Sequence, residues 1–440
     1  MKNPSLENGT ALTQTSLRRH IPVLDGIRGL AILMVLFHHG ADMSSAGLFD
    51  DIALWGLHFG GRGVDLFFVL SGFLITGIIA DTKGQKGYFI SFYARRILRI
   101  FPLYYALIIL SFFILPNVGS FLAGLESVPV QTAEVIQGKL DRFGQVNDYQ
   151  VYYWLFFSNF VIAHLNEWGH GILGVSWSLA IEEQFYLLWP FLFFFLDAKR
   201  MKIVCLFLLL FSPLFRVIVL ATGKDPFFGG DITVIDLYVL TPGRLEGLVL
   251  GALLALHLRT GKDELEPERK LRALVKPALF FAIVGIAGAL IADMPHYFGE
   301  HNSEIESWEA AAFGFTSVAF GLAGVVVLAL AARPGTWWYA FWTSRFMCSF
   351  GKYSYAIYLT HLPVRALIRD MIYGPASNGD RFGTAWIEFP KVMGSEFIGQ
   401  ILFFIPMLAV CWLVGWLSWN LFEKQVLKLK KYFPYGRKKA

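Results

Sequence analysis

The chain has 440 residues, 55% of them hydrophobic and only 16% charged, with a mean hydropathy of +0.53. A soluble domain carries about a quarter charged residues, so this composition excludes a fold solvated by water on all sides. Net charge is +5, and the three cysteines, Cys205, Cys348 and Cys411, have no spacing suited to a disulfide framework or a zinc site.

A polar segment of residues 1–22 ends on Arg18 and Arg19. Continuous apolar stretches then run near 27–43, 64–81, 101–118, 184–198, 203–222, 238–258, 275–293, 310–332, 353–373 and 397–420. About 20 apolar residues cross a bilayer as a helix, whereas barrel strands alternate every second residue. These runs do not alternate, and they predict an all-α polytopic membrane protein with about ten transmembrane helices. The first run carries Asp25 and Arg28 and lacks a small-x-small cleavage site, so it is expected to be retained rather than removed as a signal.

Basic residues cluster before the first helix, after the second (Lys83, Lys86, Arg95, Arg96, Arg99), after the fourth (Lys199, Arg200, Lys202), at 259–276 and in the tail 425–440. Segments 41–58 and 293–310 are acidic. The positive-inside rule puts both termini in the cytoplasm, which requires an even number of crossings. The aromatic stretch 151–166 is therefore expected to be re-entrant or interfacial rather than a span. Residues 23–424 form the membrane domain, with a polar outer interruption at 119–150. No internal repeat and no separate soluble catalytic domain are evident, so any chemistry is expected among the helices.

Ionisable groups in spans are costly and each needs a reason. In LDGIRGLAILMVLFHHG, Arg28 and His39 are eleven residues apart, about 20° past three turns, so they share a face about 16 Å apart in depth. His39 can take a proton near neutral pH, while a helix-end histidine and a snorkelling arginine are the structural alternative. His38 points elsewhere, and adjacent histidines make a poor metal pair. Asp65 in GRGVDLFFVLSGFLIT is either an N-terminal cap or a catalytic carboxylate. Ser71 and Gly72 read as packing residues. Arg96 and Arg99, with Arg95 beside them, form a bidentate grip for phosphates or an orientation signal at the cytoplasmic edge. Glu182 and Glu183 in GVSWSLAIEEQFYLLWP open a span on the outer side, with Ser178 as a capping partner. Arg244 and Glu246 cannot face each other and each needs an outside partner. His361 lies mid-span, and Glu423 adjoins the basic tail. His39, Asp65, Glu182 and Glu183 map to the outer half, the arginines to the inner edge. A long donor held inside by its phosphates fits that layout.

The Arg28-to-His39 spacing, GRGVDLFFVLSGFLIT, RRILRIFP, SWSLAIEEQFYLLWP, GRLEGLVLGALLA, YSYAIYLTHLPV and WNLFEK together resemble the integral-membrane acyltransferase-3 family, the O-acetylases of bacterial cell-envelope glycans. The resemblance runs in order from residue 21 to about 424. It implies an inner-membrane enzyme moving an acyl group, expected to be acetyl, from cytoplasmic acetyl-CoA or another acyl-CoA to a hydroxyl of a glycan or glycosylated acceptor. It implies Arg28 and His39 as the essential pair, donor handling by Arg96 and Arg99, and an acid at Glu182 or Glu183. Arg244, His361, Trp177 and Ser178, in the same strings, are candidates for acceptor binding. Some members carry a fused extracytoplasmic hydrolase-like domain; none is expected here, and a stand-alone enzyme or one with a separate transfer partner is the expectation. No metal and no nucleic acid are expected. The competing class is a proton-coupled secondary transporter, disfavoured by the lack of inverted repeats or paired broken helices.

Overall fold

A computed structural model describes residues 12–44, 47–125, 130–168, 171–261, 263–298, 310–373, 389 and 391–436. Among these residues the chain folds almost entirely into helices, and no β-sheet forms. In chain order the main helices are α1 (Pro22–His39), α2 (Leu48–His58), α3 (Gly63–Thr82), α4 (Tyr88–Ile109), α5 (Val130–Asn147), α6 (Gln150–Trp154) and α7 (Ser158–Leu165). They continue as α8 (Ser176–Phe195), α9 (Ala198–Thr222), α10 (Glu246–Arg259), α11 (Glu266–Phe298), α12 (Phe315–Leu330), α13 (Arg345–Tyr373) and α14 (Phe397–Ser418).

Seven helices among the described residues are long and apolar enough to cross a bilayer. They contain α1, α3, α4, α9, α11, α12 and α14, and the protein is integral to the membrane. The expected ten stands at seven by this measure, for reasons visible in the remaining three. Helix α10 has 14 residues, about 21 Å; α8 carries both glutamates; α13 carries His361, Arg365 and Arg369. Apolar side chains of α9, such as Ile203, Phe207 and Leu210, are exposed, as expected for a lipid-facing surface.

Two expected boundaries move. The run 238–258 is broken, because Pro242 lies in a turn at Thr241–Gly243 between a short helix, Val234–Val239, and α10. Helix α8 begins at Ser176 rather than 184, so Glu182 and Glu183 lie well inside it and do not cap it. The stretch 151–166 is two short helices, α6 and α7, separated where Phe156 takes a left-handed φ of 59°. Neither approaches the length of a crossing. The polar interruption 119–150 contains α5, and the acidic segment 293–310 falls largely outside the described residues.

Close backbone approach sets the bundle. A methyl group on Gly29 would overlap the carbonyl of Met347 and one on Gly351 that of Asp25, while one on Gly26 would overlap that of Trp342, in the short helix Trp337–Trp342 that leads into α13. This zipper holds α1 and α13 side by side and parallel. Gly72 and Gly251 do the same for α3 and α10, against the carbonyls of Leu248 and Val69. Gly60 meets Met34 while Gly63 meets Ala31, so α3 runs opposite to α1. The start of α1 therefore shares an end with the finish of α3 and α10. There Arg259 pairs with Asp81 at 3.1 Å and donates to the Leu17 carbonyl, and Arg18 lies 3.7 Å from Asp81.

Candidate active site

Helix α1 starts with Pro22 in its first turn and ends at Gly40, which brings His39 into its final turn. His39 Nδ1 lies 3.2 Å from the Val35 carbonyl and 3.1 Å from Nε2 of His361 on α13. His361 is fully buried, and its Nδ1 lies 2.6 Å from the Tyr358 carbonyl and 3.2 Å from that of Ile357. One turn further along α13, Arg365 forms a buried ion pair with Asp42. The exit of α1 is pinned by Gln400, which donates to Gly40 and accepts from the backbone N–H groups of Asp42 and Met43. His38 turns away from this face, packing against Gly61 with its ring 5.6 Å from that of His58.

Deeper in the bundle, Glu182 accepts from Ser71 Oγ at 2.8 Å and from Tyr186 Oη at 3.0 Å. The Arg96 guanidinium lies 5.7 Å from the centre of the Tyr186 ring. Beside it, Glu183 Oε1 is buried without a hydrogen-bond partner among the described residues. Ser178, one turn before Glu182, hydrogen bonds Tyr358 at 2.5 Å. Tyr355, Tyr358, His361 and Arg365 thus form a ladder on one face of α13, joining the arginine level to the exit of α1.

At the other end, Arg99 lies 3.9 Å from Glu423 and faces Trp419 and Tyr355. Arg28 pairs with Asp25 at 2.9 Å and keeps about a third of its side chain exposed. Arg95 donates to the carbonyls of Lys430 and Phe433, and its guanidinium lies 5.0 Å from the Tyr435 ring centre. Ser91 fixes the same segment through the Pro434 carbonyl.

A second polar group is built beside this corridor. Arg244 pairs with Asp65 at 3.0 Å, both almost fully buried. Phe315, Tyr238, Trp177 and Phe68 surround the guanidinium with ring centres 4.1 to 5.9 Å away. Glu246 is taken by Arg216 at 2.6 Å and by Thr316. The requirement that Arg244 and Glu246 find partners on other helices is met.

The structure therefore brings His39 and His361 together, and Ser178 into reach of the same ladder through Tyr358. It separates other expected members. Asp65 does not cap α3 and does not meet His39; its carboxylate pairs with Arg244. Glu182 belongs with Ser71 and Tyr186 in the middle of α8, since the helix starts six residues before it. Arg95 is committed to the tail, leaving Arg96 and Arg99 as the arginines turned toward the bundle. Trp177 walls Arg244, and Glu423 meets Arg99 rather than a tail lysine. Tyr186 and Tyr358 went unnoticed in the sequence, although Tyr355, Tyr358, His361 and Arg365 carry a helical spacing that could have exposed them. Among the described residues no group of three or more His, Cys, Asp or Glu side chains is arranged to hold a metal ion.

A helical membrane protein with a buried histidine pair at one level and arginines at another defines a class of membrane-embedded group-transfer candidates. The chain belongs to the acyltransferase-3 family: the family model described as an acyltransferase domain matches residues 21–416. It is similar to the O-acetyltransferase OatA of Staphylococcus aureus, at 28% identity over 355 residues, covering 79% of this chain and 51% of that protein. It is similar as well to the peptidoglycan O-acetyltransferase OatA of Listeria monocytogenes, at 28% over 365 residues, covering 80% and 50%. The chain spans about half the length of these curated relatives. No solved structure matches it.

Proposed function

We propose that this chain is a membrane O-acetyltransferase that carries acetyl from acetyl-CoA at the cytoplasmic face to a hydroxyl of a cell-envelope glycan. Membership of the acyltransferase family supports the reaction class, and the relatives' names support acetyl as the group and peptidoglycan as the first acceptor to test. The observation that carries the reading is the polarity of α1. His39, held by His361, lies about 16 Å along the helix from Arg28. Arg28 shares its end of the bundle with Arg99, which sits over Trp419 and Glu423.

Ten crossings are the finer reading of the architecture. α8, α10 and α13 are packed within the same bundle as the seven apolar helices, and Glu182, Glu246 and Arg365 on them meet protein partners rather than lipid. Both termini then lie in the cytoplasm, with the basic loops.

In the proposed reaction Arg96 and Arg99 hold the donor's phosphates, and the thioester reaches into the corridor between α1, α8 and α13. The acceptor hydroxyl gives its proton to His39 as its oxygen bonds to the thioester carbonyl carbon. The carbon–sulfur bond then breaks, the acetyl ester is formed, and the CoA sulfur leaves with the proton returned from His39. Export of the product, or hand-over to a separate extracytoplasmic transfer protein, follows. The carrier alternative has no comparable support.

The test uses inverted membrane vesicles, radiolabelled acetyl-CoA and a cell-wall acceptor. Label entering glycan with wild type and not with His39→Ala supports the reading. Absence of transfer by folded wild type across a broad acceptor mixture, or full transfer by the variant, defeats it.

A further inference from the structure

The partner of His39 is a second histidine, and the hydrogen bonds around the pair fix where each proton sits. Among the described residues His361 Nδ1 faces two carbonyl oxygens, Tyr358 at 2.6 Å and Ile357 at 3.2 Å. A carbonyl can only accept, so His361 Nδ1 carries a hydrogen. His39 Nδ1 likewise faces the Val35 carbonyl at 3.2 Å, so it too is a donor. The 3.1 Å contact between His361 Nε2 and His39 Nδ1 can then have one sense only: Nδ1–H of His39 donates to the bare Nε2 of a neutral His361. A doubly protonated His361 would set two donors against each other. The lone pair of neutral His39 is consequently on Nε2.

Resting on the O-acetyl-transfer reading, we propose that His361 is a positioning residue that locks His39 into the tautomer whose Nε2 removes the acceptor's proton. The role is the one a carboxylate fills in other acid–base pairs, where a buried acceptor on Nδ1–H fixes ring orientation and proton position. A neutral acceptor suits this place. Arg365 lies one turn beyond His361, and its charge is matched by Asp42 in a buried pair. A carboxylate beside His39 would compete for that guanidinium, and a buried ion left without its partner is expensive. The arrangement is built from parts far apart in sequence. Val35 and His39 are on α1, while Ile357, Tyr358 and His361 are successive-turn neighbours on α13, and the glycine zipper between the two helices sets the spacing. Tyr358 also holds Ser178 at 2.5 Å, so the carbonyl anchoring His361 is itself fixed to α8.

The proposal differs from a role for His361 in holding the acceptor, and two measurements separate them. In the first, kcat and KM for acetyl-CoA and acceptor are measured for His361→Leu and His361→Gln in purified full-length protein, alongside its melting temperature. His361→Leu removes the acceptor for Nδ1–H and is expected to lower kcat on the order of 100-fold or more, with both KM values within about twofold. His361→Gln can present an amide oxygen to the same N–H and is expected to recover at least about tenfold of that loss. A rise in acceptor KM at unchanged kcat, an undiminished kcat in His361→Leu, or equal losses in both variants overturns the proposal. In the second, nitrogen-15 histidine labelling reads the protonated ring nitrogen of His39, assigned by its absence in His39→Gln. Protonation at Nδ1 in wild type, lost as a fixed state in His361→Leu, is expected; a hydrogen on Nε2 in wild type overturns it. This reading needs no turnover, so inactive wild-type protein would sink the transferase reading alone.

Discussion

Asp65 on α3 and Arg244, in the turn just before α10, stand 3.0 Å apart, and the two helices run parallel and touch backbone to backbone through Gly72. Both groups are almost fully buried, so each is the other's main compensation for lost hydration. Replacing Asp65 by leucine strands the guanidinium among Phe315, Tyr238, Trp177 and Phe68. Asp65→Leu is expected to cost about 3–5 kcal/mol, and Asp65→Leu with Arg244→Met to recover most of it. Thermal inactivation of detergent-solubilised protein measures both.

His39 and His38 should separate cleanly. His39→Gln is expected to lower transfer on the order of 10²–10⁴-fold with intact folding, as loss of a general base does. His38→Gln, on the other side of α1 against Gly61, should stay within about tenfold of wild type. Label transfer in vesicles at matched protein levels distinguishes them.

The arginines divide by partner. Arg96→Lys and Arg99→Lys lose the planar fork and are expected to raise KM for acetyl-CoA about tenfold, equivalent to ~1.4 kcal/mol. Arg95→Lys should leave that KM near wild type, because its guanidinium is spent on the carbonyls of Lys430 and Phe433. Its signature is instead faster tryptic cleavage at Lys430 or Lys431, read by mass spectrometry.

The crossing parity is open to labelling. Single cysteines at Arg200, exposed just inside α9, and at Asp148, exposed at the end of α5, should react from opposite sides in a Cys348→Ser background. Cys205 and Cys411 are buried and can stay. Reaction of both with an impermeant outside reagent would require 151–166 to be recounted.

The Arg28-to-His39 relation was legible because it lies within one uninterrupted helix, where spacing alone gives face and depth. The apolar runs likewise marked most helices. The start of α8 was misread because two adjacent acids look like a boundary, whereas Ser71, Tyr186 and the surrounding helices make Glu182 tolerable inside. Only tertiary contacts carry that information. The same holds for His361, which lies 322 positions from the histidine it meets, and for Asp65, whose sequence neighbourhood suggests a cap. Arg244 announced the need for a partner but not its identity.

The glycine zipper gives the chemistry an unusual remote dependence. Gly29 lies ten residues, about 15 Å, from His39 and touches the Met347 carbonyl rather than any reacting group. A side chain there must pry α1 from α13, and two rigid helices hinged apart at one level separate at every level above it. The 3.1 Å histidine contact would open by a comparable amount. An inactive Gly29 variant could thus be fully inserted, stable and able to hold its donor, its fault being that two rings no longer meet.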